Sequence, residues 1–107
     1  MERGERIQRN EASYRDVNEA IRAGRDDDGG TPRPYMCECG QLGCNQLVEL
    51  TASEYEAVRA NPRHFFMVGG HEIPDVERII DRHDRFVVAE KLETEARIVE
   101  ETDPRSG

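Results

Sequence analysis

Three cysteines fall within eight residues, in Cys37-Glu38-Cys39-Gly40-Gln41-Leu42-Gly43-Cys44, and none lies elsewhere in the 107-residue chain. Around them the chain offers little to build a core: 36% of residues are hydrophobic, another 36% are charged, and tryptophan is absent. A domain this short with so thin a core needs a staple, such as a metal, a disulfide or a partner. An odd number of cysteines argues against a disulfide framework, and cysteines used only as small hydrophobes have no reason to crowd beside glycines on a polar loop. The cluster therefore reads as metal-binding. Zinc is held by four soft ligands in a tetrahedron, so a fourth must come from elsewhere. His71 in Gly69-Gly70-His71-Glu72 is the first candidate, because glycines after a strand let the chain turn sharply and present an imidazole. His64 is the second, and His83 reads as a solvated turn residue. The expected site is a closed zinc shell of Cys37, Cys39, Cys44 and His71.

Other chemistries compete for the same residues. The thiols could be buried without metal. A [2Fe-2S] cluster also takes three cysteines and a histidine, and the CxC start is similar to that of the CDGSH-type iron-sulfur proteins. In that family, however, the third cysteine lies farther along and the histidine follows it closely. Catalytic zinc would need an open position, with Glu72 as general base, but three thiolates and an imidazole close the shell. A thiol sensor could oxidise Cys37 and Cys39 to a disulfide and release the metal. The H-x-E and P-C-x-x-C pair of the zinc deaminases is absent, as are a P-loop, a dinucleotide fingerprint and a Ser-His-Asp order. The balance favours a protein that is not an enzyme.

The fold expected is α+β. Residues 1–24 read as an N-terminal helix, with Ile7, Tyr14, Val17 and Ile21 as a narrow apolar stripe among charges. Residues 25–34, with three aspartates, paired glycines and two prolines, read as a linker. Residues 35–93 read as a small zinc-binding domain with a mainly antiparallel sheet. Strands are expected at 35–37 and 46–50, and Thr51 with Glu54 fits a capping box for a short helix at about 52–60 that Asn61-Pro62 ends. The apolar run His64 to Val68 reads as the buried central strand, and alternation in 76–81 and 85–91 reads as a β-hairpin. Residues 94–107 read as an acidic, disordered tail.

Charge narrows the partners. The chain carries 23 acids against 15 bases, a net charge of −8, with Lys91 the one lysine. Most of the excess lies after residue 34, which sets this part against a phosphate backbone. The arginines of the first helix alternate with acids and read as a salt-bridged solvated face. Nucleic acid is thus disfavoured. No apolar run approaches a membrane span and no secretory leader is present, so a cytoplasmic protein is expected. The N-terminal helix either packs on its own domain or serves as a docking element, through which the chain meets a protein partner or a second copy.

A set of residues also resembles a family of small uncharacterised actinobacterial proteins that contain a CxC pair. It comprises Asn10-Glu11-Ala12 with Arg15, Val17-Asn18-Glu19 and Ile21, Cys37-Glu38-Cys39 and Cys44, Glu54-Tyr55-Glu56 with Val58-Arg59, Gly70-His71-Glu72, Val87-Val88 and Glu90-Lys91. The resemblance spans most of the chain and agrees with the preference for arginine over lysine. It implies no activity and no catalytic residue. The function expected from the residues themselves is a small zinc-binding interaction or regulatory protein, with a redox or metal sensor and a small metalloenzyme using Glu72 as the alternatives.

Overall fold

The fold is that of a computed structural model, which describes residues 3–25, 30–41, 43–92, 99–101 and 103–105, with side chains described from Glu11 onward. It is α+β. Helix α1 spans Arg3–Ala23, followed by strands β1 (Arg33–Met36) and β2 (Leu47–Leu50), helix α2 (Ala52–Arg59), and strands β3 (His64–Met67), β4 (Glu77–Arg82) and β5 (Val87–Lys91). Strands β1 and β2 form an antiparallel pair, and β3, β5 and β4 form a second antiparallel sheet in that order. Strand β1 begins at Arg33, inside the stretch expected to be a linker, of which residues 26–29 lie outside the described set.

Local sequence sets several of these elements directly. The Thr51 hydroxyl accepts from the Glu54 amide at 3.1 Å and the Glu54 carboxylate accepts from the Thr51 amide at 2.8 Å, a reciprocal cap that starts α2. The β4–β5 hairpin forms where alternation placed it, closed by the His83 amide donating to the Phe86 carbonyl at 2.8 Å. Its two faces divide the core. Phe86 and Val88 join Tyr35, Leu50, Tyr55 and Phe66 in one buried cluster, while Val87 and Ala89 join Phe65, Met67 and Val99 in the other.

The central strand is β5, not the His64 to Val68 run. Residues 86–89 are buried on both faces, as a central strand requires. Strand β3 lies at the edge and is nonetheless buried, because the cysteine loop closes its outer side. The Glu38 amide donates to the Phe66 carbonyl at 3.0 Å, the Phe66 amide points back at the Glu38 carboxylate at 3.4 Å, and the Val68 amide donates to the Cys37 sulfur at 3.3 Å. An apolar run buried at an edge looks the same in sequence as one buried at the centre.

Helix α1 packs on its own domain, and only part of the expected apolar stripe takes part: Ile21 packs against the first core cluster and half-buried Tyr14 reaches the cysteine loop. Val17 is 47% exposed, and the side chain of Ile7 lies outside the described set. The fully buried positions are Glu11, Arg15 and Asn18, which share one helix face at spacings of four and three. Asn18 pairs with both backbone groups of Met36, accepting from its amide at 2.8 Å and donating to its carbonyl at 2.9 Å, and so acts as an extra rung beside β1. Arg15 donates to the carbonyls of Pro62 at 2.8 Å and Val99 at 2.5 Å, with its guanidinium 4.5 Å from the centre of the Phe65 ring. Glu11 and Glu77 both bind the Lys91 ammonium, and all three residues are buried. Burial, opposed by Lys91, holds the Glu11 carboxyl well above the ordinary carboxylate range, which suits two carboxylates sharing one ammonium.

The described part of the expected tail is also packed and so departs from a disordered segment. Val99 is buried, Asp103 meets Arg59 at 2.5 Å, and Arg105 binds Glu19 and Glu56. Residues 93–98, 102 and 106–107 lie outside the described set.

Removing one member of a buried ionic set leaves the others uncompensated, so Lys91→Met is expected to lower stability to urea by roughly 3–5 kcal/mol. Val17→Ala, on the exposed side of α1, is expected to stay within about 0.5 kcal/mol of the parent. Without the ammonium, the folded state of Lys91→Met binds protons at Glu11 more tightly than the unfolded chain does. Relative to the parent, its loss of stability is therefore expected to be smallest below the ordinary carboxylate range and to grow as pH rises from there toward the raised Glu11 value. Urea midpoints at several pH values measure both effects.

Candidate metal centre

Two chain connections meet at the site. Residues 37–46 link β1 to β2 and bring three sulfurs, and residues 68–76 link β3 to β4 and bring one imidazole. Cys37 directly follows β1, where its amide extends the hairpin by donating to the Gln46 carbonyl at 3.0 Å. Cys44 and His71 are delivered by turns of the same plan. The Cys44 amide donates to the Gln41 carbonyl at 3.2 Å across Gly43, which has φ +80°, and the His71 amide donates to the Val68 carbonyl at 3.0 Å across Gly70, which has φ +92°. Each ligand is thus the fourth residue of a tight turn whose third is a glycine with positive φ, a conformation that glycine adopts without a Cβ clash. Among the described residues these are the only two positive φ values.

The ligand atoms of Cys37, Cys39, Cys44 and His71 all lie within 4.8 Å of one another, and the four residues form a group that could hold a metal ion. The His71 Nδ1 is 3.5 Å from the Cys37 sulfur and 3.7 Å from the Cys44 sulfur. A tetrahedral zinc with bonds of about 2.3 Å to sulfur and 2.0 Å to nitrogen separates its ligands by about 3.5–3.8 Å. Cys37 and Cys39 are buried, while Cys44 and His71 are half-buried. Surrounding groups fix the loop: Tyr14 donates its hydroxyl to the Cys44 carbonyl, and the Gln41 amide reaches the His71 carbonyl at 3.4 Å.

The electrostatics describe sulfurs crowded in need of positive charge. A hydrogen bond to Cys39, reinforced by burial, pushes the Cys37 thiol well up. The same bond from Cys37, against burial and with help from the Gln41 amide and His71, pushes the Cys39 thiol down. A divalent cation bound among the three sulfurs would favour the thiolate form of each.

The other candidates stand apart from the group. His64 bonds to Glu90 at 3.0 Å on the sheet, and His83 stacks on Phe86 with ring centres 4.3 Å apart while bonding to Asp81 at 3.0 Å. Glu72 accepts from the Gly70 amide at 3.0 Å and so holds its own turn. The residue least visible in sequence is Glu38, between two ligands. It is completely buried, and burial pushes its carboxyl up to about 7 against the Asn18 amide, Arg59 and Arg15, which pull it down. A charged residue inside a CxC pair gives no sign that it points inward.

The turn geometry can be tested by adding a methyl group. At Gly43 and Gly70 a Cβ would meet nothing within 4 Å, so any penalty comes from the backbone alone. Gly43→Ala and Gly70→Ala are each expected to cost roughly 1–2 kcal/mol. Gly69→Ala, where φ is not in the left-handed region and the nearest neighbour is Val87 at 3.7 Å, is expected to be within about 0.5 kcal/mol of the parent. Thermal or urea unfolding of the three variants separates the two classes.

Comparison with protein-family models, with curated proteins and with solved structures finds no match, so what can be said of this site rests on its own side chains.

Proposed function

We propose that Cys37, Cys39, Cys44 and His71 hold one zinc ion as a structural staple, and that the protein is a non-catalytic interaction or regulatory module built around it. The observation that carries this reading is the convergence of four ligand atoms within 4.8 Å, with the nitrogen at tetrahedral-edge distances from two sulfurs. Three thiolates and an imidazole suit zinc and leave no ligand position for substrate. A two-iron cluster divides four ligands between two metals and spreads them farther apart, which this compact group disfavours. An enzyme reading would need an open metal position beside Glu72, whose carboxylate instead accepts from the Gly70 amide and braces the turn that carries His71. A sensor reading, with Cys37, Cys39 and Cys44 as its thiols, would have half-buried Cys44 as the point of entry for oxidant, since Cys37 and Cys39 are buried.

The reading of the protein as an interaction module rests on the closed shell together with the outward side of α1 around Val17, where the helix would meet a partner.

Elemental analysis of the purified chain is expected to give one zinc and no visible absorption band. His71→Ala and each single cysteine-to-serine variant should lose the metal, whereas His64→Ala and His83→Ala should keep it. Because the ligands bind zinc as thiolates and neutral imidazole, acid should release the ion by proton competition, and a strong chelator at neutral pH should loosen the domain. Iron with visible bands, or zinc retained by His71→Ala and lost from His64→Ala, would contradict the assignment.

A further inference from the structure

Strand β4 ends the three-stranded sheet, and among the described residues no strand lies beyond it. An open edge of this kind is a template for another chain, and proteins usually blunt it with charges that repel a second copy. The charges on β4 have the opposite property. Its pairing with β5 skips Ile80, matching Ile79 with Ala89 and Asp81 with Val88. With the same skip, the strand reads Glu77, Arg78, Ile79, Asp81, Arg82.

Turned antiparallel on itself about Ile79, that string sets Arg78 of each copy opposite Asp81 of the other, and Arg82 beside Glu77. The side chains concerned are accessible: Arg78 is 68% and Asp81 61% exposed, although each also has a local partner in Glu90 and His83. Glu77 is committed to Lys91, so the two Arg78–Asp81 pairs carry the complementarity. Ile80, bulged out of the ladder and 42% exposed, lies on the face that bears an open apolar depression of about 230 Å³ lined by Val58, His64, Phe86 and Val88. A two-fold axis at Ile79 brings the Ile80 side chains of two copies together on that face.

We infer that β4 is a homodimer edge, and that two copies of this chain pair antiparallel through β4 to form a continuous six-stranded sheet in the order β3-β5-β4-β4-β5-β3. Such a contact is isologous and closes at two, because each β4 edge is consumed by its mate. Like charges placed opposite one another in a sheet are destabilising, so the register is open to a charge-swap test.

Sedimentation equilibrium of the full-length, metal-loaded chain at concentrations up to about 100 μM is expected to show a monomer–dimer equilibrium. Asp81→Arg, which faces arginine with arginine, should weaken the dimer by about tenfold or more, and Arg78→Asp should do the same. The double variant Arg78→Asp/Asp81→Arg restores opposite charges and should return dimerisation to within about threefold of the parent. Unfolding midpoints check that these surface changes leave the fold intact, and protection of the Ile79 amide from exchange should rise with parent protein concentration. A parent that stays monomeric throughout, a dimer indifferent to Asp81→Arg, or a double variant no better than the singles would overturn the proposal.

Discussion

The outer edge of β3 is the constraint on which the remaining structure depends. Phe66 is fully buried, and its carbonyl and amide face away from β5, where no strand lies beside them among the described residues. Buried backbone groups must be paired, and here a single residue, Glu38, serves both with its amide and its carboxylate. That solution places a carboxyl group inside the protein, which then needs its own partners. Asn18 supplies an amide at 2.9 Å, and Arg15 and Arg59 supply positive charge. Helix α1 is therefore held by the consequences of closing a sheet edge, and Asn18 links that edge to β1 by bonding Met36 as well.

This chain of dependence explains how so little apolar material makes a defined domain. Two small clusters share β5, and between α1 and the sheet lie Arg15, Arg59, Lys91, Glu11, Glu77 and Asp103, all buried. Buried ionic groups add little net stability, because desolvation offsets their attraction, but they penalise any arrangement that leaves one unpaired. They select one register for the helix. The Cys/His group serves the same end at the other side of Glu38, holding Cys37 and Cys39 against the start of the β3–β4 connection that carries His71.

What could be read from the sequence follows the same physics. The α2 cap, the β4–β5 hairpin and the four-residue Cys/His group were legible because each is written in local chemistry: Thr51 with Glu54, alternation around Arg82 to Arg85, and thiols beside turn glycines. The docking face of α1 was legible only in part: apolar periodicity finds Ile21 and Tyr14, which face the domain, but it includes Val17, which faces outward, and passes over the fully buried Glu11, Arg15 and Asn18. Their partners lie as far away as Lys91 and Val99, and no window along the chain brings them together. The edge position of β3 was hidden for a related reason: the outer side of Phe65 to Met67 is covered by a loop that precedes it by some 28 residues, as Glu38 and Phe66 show.

If the metal group fixes the loop that closes β3, the amides at that closure should report it. Amide hydrogen exchange, followed residue by residue with and without a strong chelator, tests this most directly. The account predicts that chelation removes protection at Glu38, Val68 and His71, whose amides bond to Phe66, Cys37 and Val68, before the β4–β5 ladder loses its own. Protection at those three amides that is unchanged when the protein is stripped of metal would contradict it.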